Sequence, residues 1–331
     1  MSDSEPAALF QFEHAYYIGN YMSGILYGVE LVMYFLTLQG LRTNNQNTAK
    51  SKRFFAVYST ILLLLLTVDI SVNAVWGELM WINARNTPGG VFGYIATQTS
   101  VWYQTMGSTS VVVMIFMGDA LLLYRLFIIY GSNYWIIAFP VVSYLAAFSL
   151  AIIELVLAGK PGGNFFHGKT INFGTPYYTI TIALNIVVTL LIVFRLQRLS
   201  RAVSKALTRD SAKMYTSVSS MLIESAAPYS LVGIMFLIPY AMGSSTAISF
   251  GQVWAKLTCL SPQLIVLRVV TGRAWGREII TQAQSGVEFV VTPNAQASGI
   301  ELQSHKYSHG NTTLDGTPTE KWNGSTQRLA Y

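Results

Sequence analysis

The chain holds one cysteine, Cys259, among 331 residues. No intramolecular disulfide can form, and no zinc site can be assembled from thiolates. Charge is scarce as well: only 11% of residues are Asp, Glu, Lys or Arg, against roughly a quarter in a soluble domain. Histidine occurs four times, as His14, His167, His305 and His309, all outside the apolar runs. A membrane metallohydrolase needs several ligands converging at one depth, and these do not converge. Neither a glycine-rich phosphate loop nor a serine nucleophile elbow is present. The sequence therefore offers no catalytic residue, no metal site and no cofactor motif, and it reads as a non-enzyme. The first residues lack a basic start. That argues against a cleavable signal and leaves the first apolar run to insert as its own signal.

What the chain has is apolar length. Hydrophobic residues make up 52% of it, and the mean hydropathy is +0.42. Seven runs are long enough to cross a bilayer as helices: about 18–40, 54–76, 101–130, 134–158, 175–194, 214–241 and 251–270. The fold class is all-α, a polytopic membrane protein built as a seven-transmembrane-helix bundle. Residues 1–17 form a short extracellular or lumenal tail, and 18–270 the bundle. Residues 271–284 read as a short amphipathic helix on the inner leaflet, with Trp275 and Ile279 on one face and Arg273 and Arg277 on another. Residues 285–331, rich in Ser, Thr, Gly, Gln and Asn, read as a disordered cytosolic tail.

The formal net charge is +6. Nucleic-acid binding is one reading of that excess. The bases cluster in short loops between apolar runs, however, so the positive-inside rule is the better account and no nucleic-acid partner is implied. Of the 21 Lys and Arg, seventeen fall on one side of the alternating spans. Arg85, Lys160 and Lys169 fall on the other, and Lys256 lies within a span. The expected orientation is N-out, C-in. The sequons at Asn311 and Asn323 then lie in the cytosol.

Ionisable residues at membrane depth are costly and mark functional candidates. At about 1.5 Å per residue, Glu30, Asp119 and Glu224 lie roughly 15–16 Å from the inner ends of the first, third and sixth spans. Three acids then share the midplane with no base at that level. Each is either a carboxyl hydrogen-bonded between helices, or bound to a cation, or facing water. Asp69 and Lys256 share a shallower level, with Asn73 one turn from Asp69 on the same face. Lys256 either pairs with an acid there, most simply Asp69, or snorkels to the outer interface. The ligand-binding or buried polar network expected is Glu30, Asp69, Asn73, Asp119, Glu224 and Lys256. At the inner side, Arg125 and the basic stretch 195–213, with Arg198, Arg201, Lys205 and Arg209, form a cytosolic coupling surface or a headgroup contact. Pro228 and Pro262 fall inside spans and are expected to kink them.

Several stretches carry a resemblance as a set: Gly118-Asp119 through Tyr124-Arg125, Glu224-Ser225-Ala226-Ala227-Pro228-Tyr229, and Leu260-Ser261-Pro262-Gln263-Leu264-Ile265-Val266-Leu267-Arg268-Val269 followed by Gly272-Arg273-Ala274-Trp275. Together they resemble a large family of uncharacterised seven-helix integral membrane proteins of basidiomycete fungi, similar in outline to G-protein-coupled receptors. The resemblance implies membrane location and topology. The chain has Leu123-Tyr124-Arg125 where those receptors carry an Asp/Glu-Arg-Tyr triplet, and Ser261-Pro262-Gln263-Leu264-Ile265 in place of Asn-Pro-x-x-Tyr.

The expected function is receptor-like: a small-molecule ligand sensed within the bundle and coupled to a cytosolic signalling protein. The alternatives are a proton- or cation-coupled transporter or channel, and a non-catalytic structural or accessory membrane protein. The lipid bilayer is the expected partner in every case, in the plasma membrane rather than an internal one.

Overall fold

A computed structural model describes residues 5–43, 49–86, 89–131, 133–160, 163, 169–206 and 209–271. Among these residues there is no strand. The helices are α1 (Glu5–Thr43), α2 (Ala49–Glu78), α3 (Gly90–Gln98), α4 (Trp102–Ile129), α5 (Tyr134–Ala158), α6 (Lys169–Ala206), α7 (Arg209–Ala241) and α8 (Ala247–Val270). All but the short α3 are long and apolar enough to cross a membrane. A bilayer core offers no water to the backbone, so each crossing segment must satisfy its own peptide groups, and a helix does so. The polar side chains follow the same logic. Hydroxyls of Thr37, Thr60, Thr67 and Ser110 donate to the carbonyl four residues earlier, which hides them within their own helix.

The seven long helices close a ring in the order α1, α2, α4, α5, α6, α7, α8 and back to α1, with α4 also touching α6 and α8. Ser249 Oγ donates to the Ala15 carbonyl at one end of the bundle. Gly40 abuts Val270 at the other, so α1 and α8 run parallel. The end where α1 and α8 begin is called the amino end below. The outside of the ring is apolar: Phe35, Leu64, Val142, Leu190 and Ile238 are all exposed. Such a surface would be a large sticky patch in water, and it is an ordinary one in lipid. Trp102, at the amino end of α4, and Tyr134 and Trp135, at the opposite end of α5, are exposed as well. They stand where aromatic belts mark the membrane interfaces.

Several extents differ from the sequence reading. Helix α1 begins at Glu5, inside the segment read as a tail. The polar stretch after α2 is largely helical: a π-helical turn at Leu79–Asn83, a 3-10 turn at Ala84–Asn86, then α3. Gly89 enters α3 with φ 88°, a left-handed conformation that glycine adopts without a Cβ clash. Helix α3 then packs Tyr94 and Ile95 over Trp76 and Met80 and covers part of the amino end. The described part of the basic stretch 195–213 is helical as well. Helix α6 runs to Ala206 and α7 starts at Arg209, because the run from Arg195 to Ala206 contains no glycine or proline and mostly good helix formers. With 38 residues, α6 is about 57 Å long. It outreaches a hydrocarbon core of about 30 Å, so its basic end projects beyond the membrane. The inner-leaflet helix and the tail expected over 272–331 lie outside the described residues.

Candidate functional site along α8

Helix α8 is the most enclosed span, and it collects the charges that the other helices carry inward. Four of its polar side chains are buried: Lys256, Thr258, Ser261 and Gln263 are each at most 6% exposed. Four contacts along it, together with the buried face at Thr258 and Ser261, place most of the ionisable residues singled out from the sequence.

The outermost contact is an ion pair between Lys256 Nζ and Asp69 Oδ2 of α2. Lys256 is 1% exposed and Asp69 4%, so Lys256 does not snorkel to an interface. Asn73 Nδ2 donates to the other Asp69 oxygen at 2.9 Å. The Tyr16 hydroxyl of α1 donates to the Asn73 carbonyl at 2.7 Å. Four side chains from three helices thus form one chain of polar contacts. A buried charge pair is tolerated where geometry and extra hydrogen bonds satisfy it, and Asn73 supplies one such bond.

This chain of contacts lines a cavity of about 200 Å³ at the amino end. Its walls are aromatic, with Phe12, Trp76, Tyr178, Phe236 and Trp254, while Gln104, Ser108 and Gln252 add hydrogen-bonding groups. Phe236 stacks on Trp254 with ring centroids 5.4 Å apart and planes 13° apart. The close packing behind this wall needs small residues. A Cβ at Gly233 would come within 2.8 Å of Trp254 Nε1, so α7 can approach the tryptophan only as glycine at that point. Above the cavity, Tyr94 of α3 meets the Tyr103 hydroxyl at 3.2 Å. Burial, then that neighbour, holds the Tyr94 phenol above the ordinary tyrosine range.

Glu154 of α5 is absent from the sequence-based set and belongs with this site. It is 1% exposed, and the Tyr240 hydroxyl donates to its Oε1 at 3.1 Å. Tyr178 lies beside the same carboxyl. Both tyrosines line the cavity, so the acid stands directly behind its wall. The signal was available, since Glu154 is an acid inside the fourth apolar run, and the rule that flags Asp119 flags it too.

Deeper along α8, Glu30 is fully buried beside the Cys259 thiol. Among the described residues neither carboxyl oxygen has a hydrogen bond of ordinary geometry. On the other side of α8, Asp119 faces Thr258, Ser261 and Pro262. Glu30 and Asp119 therefore do share a level, close to the middle of α8. Glu224 does not join them. Its side chain is 72% exposed and pairs with Arg268 at 3.4 Å. Arg268 is seven residues further along than Ser261, about 10 Å deeper toward the far end. Glu224 thus leaves the buried network, and a base does stand at its level.

Arg125 is half-buried and turns toward α8, where its guanidinium donates to the Ile265 carbonyl at 3.4 Å. It is a tie between α4 and α8 rather than a free interface anchor. Arg198 is exposed on the projecting end of α6, over the Phe194 ring at 4.3 Å, and Arg201 is exposed beside it. The side chains of Lys205 and Arg209 lie outside the described residues. Pro228 and Pro262 sit within uninterrupted helices. Among the described residues no group of His, Cys, Asp and Glu could hold a metal ion through three such ligands.

No family model matches the chain, and no curated protein or solved structure is significantly similar to it.

Proposed function

We propose that this polytopic membrane protein is receptor-like and binds a small molecule in the amino-end cavity. The observation that carries the reading is the cavity itself: about 200 Å³, walled by aromatics and floored by the Asp69–Lys256 pair. An apolar cavity of about 150 Å³ takes a benzene-sized guest, so this one suits a compact molecule of that order. Lys256 is already neutralised by Asp69, so the fitting ligand carries no net charge. It presents an apolar or aromatic body to Trp76, Phe236 and Trp254, and a hydrogen-bonding head to Asn73, Gln104 and Gln252.

The opposite end supplies the means of coupling. The Arg125 tie to the Ile265 carbonyl joins the two helices, α4 and α8, that also line the cavity. The basic end of α6 stands beside it with Arg198 and Arg201 exposed. In the N-out orientation that the Lys and Arg distribution favours, this end faces the cytosol and an acidic surface on a signalling partner.

The test is a thermal-shift screen of the detergent-purified protein with compact uncharged aromatics, run in parallel on Ser108→Phe, which fills the cavity. Hits that stabilise the wild type and not the variant support the reading. If no compound separates the two, the cavity is not a ligand site. If a hit crosses proteoliposomes as a tracer, the protein is a transporter instead.

A further inference from the structure

A second void lies below the first, in the middle of the bundle, and we infer that it binds a single small monovalent cation of sodium size. The void measures about 10 Å³, the space of about one water-sized sphere. Oxygens surround it. Asp119 of α4 brings a carboxylate, Asn185 of α6 an amide, Tyr229 of α7 a phenol, and Thr258 and Ser261 of α8 two hydroxyls. All five residues are at most 6% exposed.

Three independent features point to an occupant. First, among the described residues Asn185 Oδ1 and the Tyr229 hydroxyl have no hydrogen-bond partner. Buried polar atoms are rarely left so, because each unpaired one costs about 1–3 kcal/mol. Second, Pro262 has no N–H, so the carbonyl of Thr258, four residues earlier, loses its helical partner. That oxygen faces Gly118, 3.6 Å from where a Cβ there would stand, on the same side as the void. Third, among the described residues Asp119 has no ion-pair partner. The nearest base in its own helix, Arg125, is tied to Ile265.

The donor set selects the ion. It is all oxygen, which suits hard cations rather than soft ones. It contains one carboxylate, which balances one positive charge. Calcium takes six to eight oxygens, and magnesium demands a near-ideal octahedron with retained waters, for which a void of one sphere has no room. A monovalent ion fits both the charge and the space. Ile115 lines this void and the larger cavity alike, so the ion site sits directly beneath the ligand cavity. It does not depend on that cavity being occupied.

The experiment is thermal unfolding of the full chain in detergent, with sodium chloride replaced stepwise by N-methyl-D-glucamine chloride at constant ionic strength. A cation that binds only the folded state stabilises it by RT ln(1 + c/Kd) at sodium concentration c, so stability is flat below Kd and climbs with the logarithm of sodium above it. The wild type is expected to show a Tm that climbs with the logarithm of sodium above a threshold concentration, and Asp119→Asn is expected to abolish the climb. Tyr229→Phe and Ser261→Ala, which each remove one oxygen, are expected to move that threshold roughly tenfold or more higher in sodium. A wild-type Tm that is the same in both salts overturns the proposal, as does a sodium response that survives in Asp119→Asn. If Asp119→Asn cannot be purified folded, an unchanged threshold in both of the milder variants overturns it equally.

Discussion

Lys256 of α8 and Asp69 of α2 form an ion pair inside the bundle, and neither side chain is more than 6% exposed. Removing one partner leaves a charge with no water and no counter-ion. Asp69→Ala alone is expected to cost roughly 3–5 kcal/mol, while replacing both residues by apolar ones of similar volume costs far less or nothing. A double-mutant cycle of Asp69→Leu and Lys256→Met, read by reversible unfolding in detergent, checks this. A loss in the double mutant equal to the sum of the losses in the two singles would show that the pair has no coupling.

Glu154 and Tyr240 meet beside Gly174, where a Cβ would lie within 2.6 Å of Glu154 Oε1 and closer still to the Tyr240 hydroxyl. Gly174→Ala must therefore displace a buried hydrogen bond. The expected loss is about 1–3 kcal/mol. Gly24 of α1 is the control, since nothing lies within 4 Å of its Cβ position. Gly24→Ala is expected to be neutral or to stabilise by up to about 1 kcal/mol. Parallel thermal melts of the two variants decide the matter.

The depth of a residue was legible in the sequence, while its facing was not. A rise of 1.5 Å per residue put Asp69 level with Lys256, and Glu30 level with Asp119, as the structure has them. Which way each one points requires a contrast between core and lipid faces, and both are apolar in a membrane helix. Glu224 shows the consequence: it points outward, toward Arg268. Its depth was also overstated, because α7 continues without a break into the basic stretch before it. The amino-end cavity was not legible at all. Its wall is made of tryptophan, tyrosine and phenylalanine drawn from five helices, and no spacing within one helix announces such a meeting.

Glu224 and Arg268 form an exposed pair, and exposed pairs contribute about 0–1 kcal/mol. Glu224→Gln is expected to leave the melting temperature nearly unchanged. The same exchange of acid for amide at Asp119, which is 3% exposed, is expected to shift it clearly in sodium. If Glu224→Gln destabilises as much as Asp119→Asn does, the two acids belong to one network after all.

The lone cysteine offers a direct check on orientation. Cys259 is fully buried, so the wild-type protein should react poorly with a membrane-impermeant maleimide, and single reporters can be added over a silent background. Met242, in the turn after α7, is 78% exposed, and Trp135, in the first turn of α5, is 90% exposed. They stand at opposite ends of the bundle, because α5 begins where α4 ends and α7 finishes at the amino end. With the N-terminus outside, Met242→Cys should label in intact cells, and Trp135→Cys only after permeabilisation. The reverse pattern would invert the orientation. It would put the amino-end cavity on the cytosolic side and the basic end of α6 outside, against the positive-inside rule. A ligand would then have to arrive from the cytosol, and the receptor-like reading would lose its geometry.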